Sequence, residues 1–405
     1  MNICWNIDDN KILKILNKYF NQIEQDIKNE KFSFFDALYC NMVLSESYEF
    51  IENKNTANEL IHYNMLIIKE EIESKNLIGG LSLFGGLSEV ALTVYSINKN
   101  TGLYKNFLDK INILLLKKLE LFIKNIKLNG ARAYDLDVIS GICGITSYIL
   151  LLDDYKDLTK ELLEIIILSF NNNTKLSWKN NETNTINLTL AHGIAGALVI
   201  LSKAYKKGIY INGQLEAINY IIKVYEKYIK VYDKHVYWPG EVLINYYYNE
   251  SNDCIANRDG WCSGSISIAR SLMIASEAIN NKKLLNIAIN IIKIRANDKI
   301  YNYNLISPSL CHGYSSILSI LNIVDRFYSD SNIKIELKKI KEIIESMFDE
   351  NTKYGFYDIE VIYYEDRYIT IKNDNIIFLK GATGIILSLL SLYKKQSILE
   401  AHLLI

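Results

Sequence analysis

The sequence predicts an all-α protein of repeated helical hairpins, on three observations. A short glycine pattern recurs six times, helical apolar stripes lie between the copies, and the chain of 405 residues contains only two prolines. Proline breaks helix interiors, so its scarcity suits long helices. The pattern is Gly, two residues, Gly or Ser, then an apolar run. It begins at Gly85, Gly141, Gly193, Gly264, Gly313 and Gly381, with gaps of 56, 52, 71, 49 and 68 residues. A spacing of about 50 residues suits two helices of three to five turns plus loops.

Along the chain, Ile12, Leu13, Leu16, Phe20, Ile23 and Ile27 form one helical stripe. Phe107, Ile111, Leu114, Leu115, Leu119 and Phe122 form another. One repeat back from Gly85 lies Ser33, followed by a helix-like run from Phe34 to Leu44 without the glycines. Seven hairpins are therefore expected, six of them glycine-marked. A glycine at each helix start lets backbones approach closely. That suits a ring of inner helices whose N-termini share one face, backed by outer helices; an open solenoid is the alternative. β-like insertions are expected near 235–250 and 355–372, the second with Asn373-Asp374 as turn material. With no Gly, Ser or Pro-rich linker, residues 1–405 read as one α/α domain.

Composition narrows the function. Lys plus Arg is 45 and Asp plus Glu is 46, which argues against a nucleic-acid or anionic-lipid binder. The N-terminus lacks a basic stretch followed by an apolar run, so no signal peptide is expected. Leu77–Ile97 is apolar but carries four glycines and Glu89, and reads as a buried helix rather than a transmembrane segment. The six cysteines are too sparse for a disulfide framework and read as buried thiols or metal ligands of a cytoplasmic protein.

Candidate chemistry clusters at the repeat glycines. His192 and His312 each directly precede one, Cys311 adjoins His312, and Cys262 lies two residues before Gly264. Thiolate and imidazole are the usual zinc ligands, and three protein ligands leave a fourth position open, as in catalytic sites. Cys262, Cys311 and His312 are thus candidate ligands; singly, each also fits a small buried residue at a helix start. Cys254 is a weaker fourth candidate. His192 suits a general acid or base, and Asp137, four residues before Gly141, suits a carboxylate that orients its ring, or a helix cap. Arg258 suits a carbonyl or oxyanion contact, or an ordinary surface position. Phosphate-loop, dinucleotide-binding and kinase motifs are absent from the sequence.

Ala-His192-Gly-Ile-Ala-Gly, Gly-Trp-Cys262-Ser-Gly and Leu-Cys311-His312-Gly, in that order on glycine repeats, resemble the lanthionine synthetase C (LanC) family, roughly over Leu77–Leu390. The resemblance implies a double α/α toroid of seven inner and seven outer helices. It implies one zinc held by Cys262, Cys311 and His312, catalytic roles for His192 and Asp137, and Arg258 near the site. The family reaction adds a peptide cysteine to dehydroalanine or dehydrobutyrine, closing (methyl)lanthionine rings in lantibiotic biosynthesis. Two positions depart from the family pattern: Ser263 replaces a frequent aromatic, and Ser316 a frequent glycine. A toroid of this size leaves no room for a dehydratase domain. The expected partners are thus a leader-bearing dehydrated precursor peptide, a separate dehydratase and an ABC-type exporter, in the cytoplasm or peripherally at the inner membrane. A glutathione-binding or signalling LanC-like protein is the alternative. A toroidal glycosidase or terpene cyclase needs paired carboxylates or an Asp-rich motif, and neither falls in the repeat register.

Overall fold

The computed structural model describes residues 3–74, 80–171, 177–180, 183–232, 234–243, 258–297, 303–365 and 367–405. In chain order the helices begin with α1 (Asn10–Lys28), α2 (Phe34–Ser47), α3 (Lys54–Ser74), α4 (Leu87–Thr101) and α5 (Lys105–Asn129). There follow α6 (Ala133–Leu136), α7 (Ile142–Ile149), α8 (Lys156–Leu168), strands β1 (Lys179–Asn180) and β2 (Thr185–Asn187), α9 (Ile194–Lys206) and α10 (Gln214–Tyr228). Strands β3 (Lys230–Tyr232), β4 (His235–Tyr237) and β5 (Glu241–Leu243) precede α11 (Ser265–Ala278), α12 (Lys282–Ala296), α13 (Tyr314–Tyr328) and α14 (Ser331–Ser346). The chain closes with β6 (Asp358–Tyr364), β7 (Arg367–Asn373), α15 (Ala382–Ser391) and α16 (Leu399–His402).

Two helix types alternate, as the repeats predict. Helices α2, α4, α7, α9, α11, α13 and α15 are buried nearly all round. Helices α1, α3, α5, α8, α10, α12 and α14 bury one stripe and expose the rest. The stripes read from sequence fall on these buried faces: Ile12, Leu16, Phe20 and Ile23 in α1, and Ile111, Leu115 and Leu119 in α5.

The chain divides into two compact units. One comprises residues 1–79, 90–111 and 305–399; in it α2 packs on α3 and α15, α13 on α14 and α15, and α1 on α15. The other comprises residues 80–89, 112–304 and 400–405; in it α7 packs on α8 and α9, α9 on α10 and α11, and α11 on α12.

Five of the six leading repeat glycines sit where a side chain has no room. A Cβ at Gly141, Gly193, Gly313 or Gly381 would lie 2.5–2.7 Å from the backbone nitrogen four residues earlier. In the first repeat that position belongs to Gly86, whose Cβ would lie 2.5 Å from the Ser82 nitrogen, so the register is one residue later than the Gly85 expected. The second glycine is equally constrained: a Cβ at Gly144 or Gly384 would meet the Val138 or Phe378 carbonyl at 2.1 and 2.0 Å. Where serine takes this place, Ser267 and Ser316 turn their hydroxyls onto the carbonyls of Gly264 and Gly313, at 3.0 and 2.6 Å. Without a glycine, α2 starts from a capping box between Ser33 and Asp36.

The insertions differ in detail from expectation. His235–Tyr237 pairs back with β3, and Glu241–Leu243 pairs with β2, which pairs with β1; the short strands β1 and β2 carry too little alternation to be read from sequence. Residues 244–250 lie outside the described residues. β6 and β7 form one hairpin whose turn includes Glu365, at φ 48°. Asn373 is therefore not turn material: it ends β7, opposite Asp358. Asp374 instead accepts the backbone N–H of Lys353 and of Tyr354.

Candidate active site

Loops entering the buried helices carry the candidate residues. In the second unit, Val138 N–H donates to the Ala191 carbonyl at 3.1 Å, and Ala191 N–H to the Cys262 carbonyl at 3.2 Å. These bonds join the loops before α7, α9 and α11, so Asp137, His192 and Cys262 belong to one cluster. His192 Nδ1 lies 2.7 Å from Asp137 Oδ2. The other carboxylate oxygen, Oδ1, accepts Ser140 N–H at 2.8 Å and Gly141 N–H at 3.1 Å. Asp137 thus holds the turn into α7 with one oxygen and contacts the His192 ring with the other. The carboxylate is 2% exposed and the imidazole 58%, so a fixed anion holds a ring that solvent and ligands reach. The Asp137 hydrogen bond raises the His192 pKa above its ordinary 6.5 against the opposing effect of burial, with a smaller push from the Cys262 side chain.

The Cys262 loop is held from behind. Trp261 is fully buried, donates Nε1–H to the Leu403 carbonyl at 2.7 Å and lies against Phe84 at a 5.5 Å centroid distance. Asp259 Oδ1 accepts Ser265 N–H at the start of α11, and its Oδ2 meets Arg295 Nη2 at 2.9 Å. Cys262 itself is partly exposed. Arg258 is exposed, four residues before it, and Cys254 lies outside the described residues.

In the first unit, Cys311 N–H donates to the Leu379 carbonyl at 2.9 Å, joining the loops before α13 and α15. Cys311 is partly exposed and His312 buried. His312 Nε2 lies 3.0 Å from Asp358 Oδ1 and 3.6 Å from Glu360 Oε1, both on β6. Burial would raise the Asp358 pKa, but His312 and the Ser307 hydroxyl at 2.7 Å outweigh it and hold the carboxyl below its usual range. Lys380 Nζ meets Glu360 at 2.8 Å, and that hydrogen bond raises the lysine pKa.

Asp358, Glu360 and Lys380 escaped the sequence reading. Lys380 had a signal, since it directly precedes Gly381 just as His192 and His312 precede their glycines. The two carboxylates had only strand alternation to mark them.

The donor set suits a metal. Cys40 and Cys143 are fully buried, and burial raises both thiol pKa values, Cys40 to about 12, as for inert core thiols. Cys262 and Cys311 instead lie at partly exposed helix starts. His312, Asp358 and Glu360 bring one ring nitrogen and two carboxylate oxygens within 4.8 Å of one another, a group able to hold a metal ion. None of the described helices is long and apolar enough to cross a membrane.

Known proteins are similar to this chain in sequence and fold. The nisin biosynthesis protein NisC of Lactococcus lactis subsp. lactis is 27% identical over 327 residues, covering 74% of this chain and 77% of that protein. A solved structure of nisin cyclase matches with a TM-score of 0.79 at 23% identity, covering 97% of this chain and 98% of that one. At that identity the match speaks for the fold, and it bears out the α/α-toroid class with small strands. The model of the lanthionine synthetase C-like protein family matches residues 40–403, and the chain belongs to that family.

Proposed function

We propose that this chain is a zinc-dependent peptide cyclase, closing thioether rings between a cysteine and a dehydroalanine or dehydrobutyrine of a dehydrated precursor. The observation that carries the reading is the His192–Asp137 pair, a half-exposed imidazole held at 2.7 Å by a buried carboxylate beside Cys262. Membership of the lanthionine synthetase C-like family supports it.

In this reading Cys262, Cys311 and His312 hold one zinc ion per chain. Asp358 and Glu360 face His312 Nε2, which would leave Nδ1 for the metal, a common carboxylate–histidine arrangement. Zinc there would keep a substrate thiol in its thiolate form near neutral pH. The reaction is an addition in which the sulfur bonds to the β-carbon, the carbon–carbon double bond is consumed, and the α-carbon takes up a proton. His192 supplies that proton from Nε2, since Nδ1 faces Asp137. Asp137 acts through the ring, raising its pKa and fixing its orientation. Arg258, exposed near Cys262, is assigned a carbonyl or oxyanion contact. A separate dehydratase supplies the substrate and an exporter removes the product, with the chain in the cytoplasm or at the inner face of the membrane.

Ring closure leaves mass unchanged, so the test counts thiols. A peptide with one cysteine and one dehydrobutyrine, incubated with the purified chain, should lose its reactivity toward a thiol-alkylating reagent faster than without protein. The same peptide with threonine in place of dehydrobutyrine should keep its thiol. Equal thiol loss with and without protein would refute the cyclase reading.

A further inference from the structure

The hairpin of β6 and β7 links the His312 cluster to an exposed apolar face. The strands pair over seven positions, from Asp358 opposite Asn373 to Tyr364 opposite Arg367. Side chains alternate between faces along a strand, and directly opposed residues share a face. One face therefore carries Asp358, Glu360, Ile362 and Tyr364, with Ile371, Ile369 and Arg367 opposite the last three. Its inner end is fixed, because Asp358 and Glu360 point at His312. Glu360 is also paired with Lys380, and the face turns apolar beyond that pair. Ile362 is 37% exposed and Tyr364 54%. At about 3.3 Å per residue, Tyr364 stands about 20 Å from Asp358 along the strand.

We infer that this face is the docking surface for the precursor peptide, gripping apolar residues next to the cysteine being closed. The inference rests on the cyclase reading above. Continuity names the occupant: a peptide whose cysteine lies by His312 can continue in extended form along the same face, over Ile362 and Ile369. A second copy of the chain is a poorer occupant, since two cross-strand pairs fall well short of the ~800 Å² per partner of a standard stable interface. The gripped peptide covers apolar side chains on a two-stranded hairpin, an element of marginal stability when left bare in water.

The opposite face supplies the control. It carries Val361 and Tyr363 with Thr370 and Tyr368, and the two tyrosine rings pair at 5.1 Å. The experiment compares the native chain, Ile362→Ser with Ile369→Ser, and Tyr363→Ser with Tyr368→Ser. The probes are two synthetic peptides, each with one cysteine and one dehydrobutyrine, flanked in one by Leu and Ile and in the other by Ser and Asn. The native chain should prefer the apolar flanks. The isoleucine variant should raise KM for that peptide about tenfold at unchanged kcat and metal content, abolishing the preference. The tyrosine variant should keep it. A preference retained in the isoleucine variant, or lost equally in both variants, overturns the proposal. A change of oligomeric mass in the isoleucine variant would assign the face to a second copy instead. If the native chain closes no ring in either peptide, the cyclase reading falls and this proposal with it.

Discussion

Asp137 binds His192 with one carboxylate oxygen, at 2.7 Å, and the backbone turn into α7 with the other. The anion that raises the imidazole pKa is thereby locked to the start of a fully buried helix. Rotation of the carboxylate away from the ring would break both bonds of the turn.

This arrangement predicts a pH signature. His192→Asn should retain metal and lose about 10²–10⁴-fold in turnover if the ring acts as acid or base. In Asp137→Asn the ring loses the carboxylate that raises its pKa, so it should titrate at lower pH. With His192 as the acid, activity falls as pH rises through its pKa, and this alkaline limb should move to lower pH in the variant. Movement of the acidic limb instead would make His192 the base. Unmoved limbs with full metal would remove the pair from the chemistry.

The carboxylates on β6 predict a graded effect on metal. If Asp358 supports His312 rather than binding the ion, Asp358→Asn should weaken zinc affinity by about 10–100-fold, measured by chelator competition. Cys262→Ala and Cys311→Ala should each abolish stoichiometric zinc. Loss in Asp358→Asn as complete as in the cysteine variants would make the carboxylate a ligand and replace the sulfur-rich site with the His312, Asp358 and Glu360 group.

A third prediction concerns acid stability. Asp9 caps α1 through Lys11 and Ile12 N–H and also meets Lys341 and the Tyr393 hydroxyl, each at 2.7 Å. Burial opposes ionisation, but these partners win and lower its pKa to about 2 from 3.8. A depressed carboxyl pKa stabilises the fold above the unfolded value and loses that contribution as pH falls through the folded one. The carboxylate is 17% exposed, and the shift corresponds to about 2 kcal/mol. Asn also caps helices, so Asp9→Asn isolates the charge. Urea unfolding should show the native chain more stable by this amount from pH 4 to 7, with the gap closing toward pH 2. A gap that persists at pH 2 would assign the effect to packing.

The sequence alone determined the α/α class, the seven helix pairs and the register of every glycine-marked helix start but the first, which lies one residue later. Five of the six leading glycines are forced by backbone contact at one place in the hairpin, so the pattern survives in one dimension. That register also located His192, Cys262, Cys311 and His312, and left the function of Lys380 unread although it holds the same position. Tertiary structure decided the partners. Asp137 lies 55 residues from His192, Asp358 lies 46 from His312, and neither spacing carries a motif. A carboxylate that serves an imidazole needs only to reach it within about 3 Å, and that distance is set by loop-to-loop backbone bonds and strand pairing, which only the folded chain specifies.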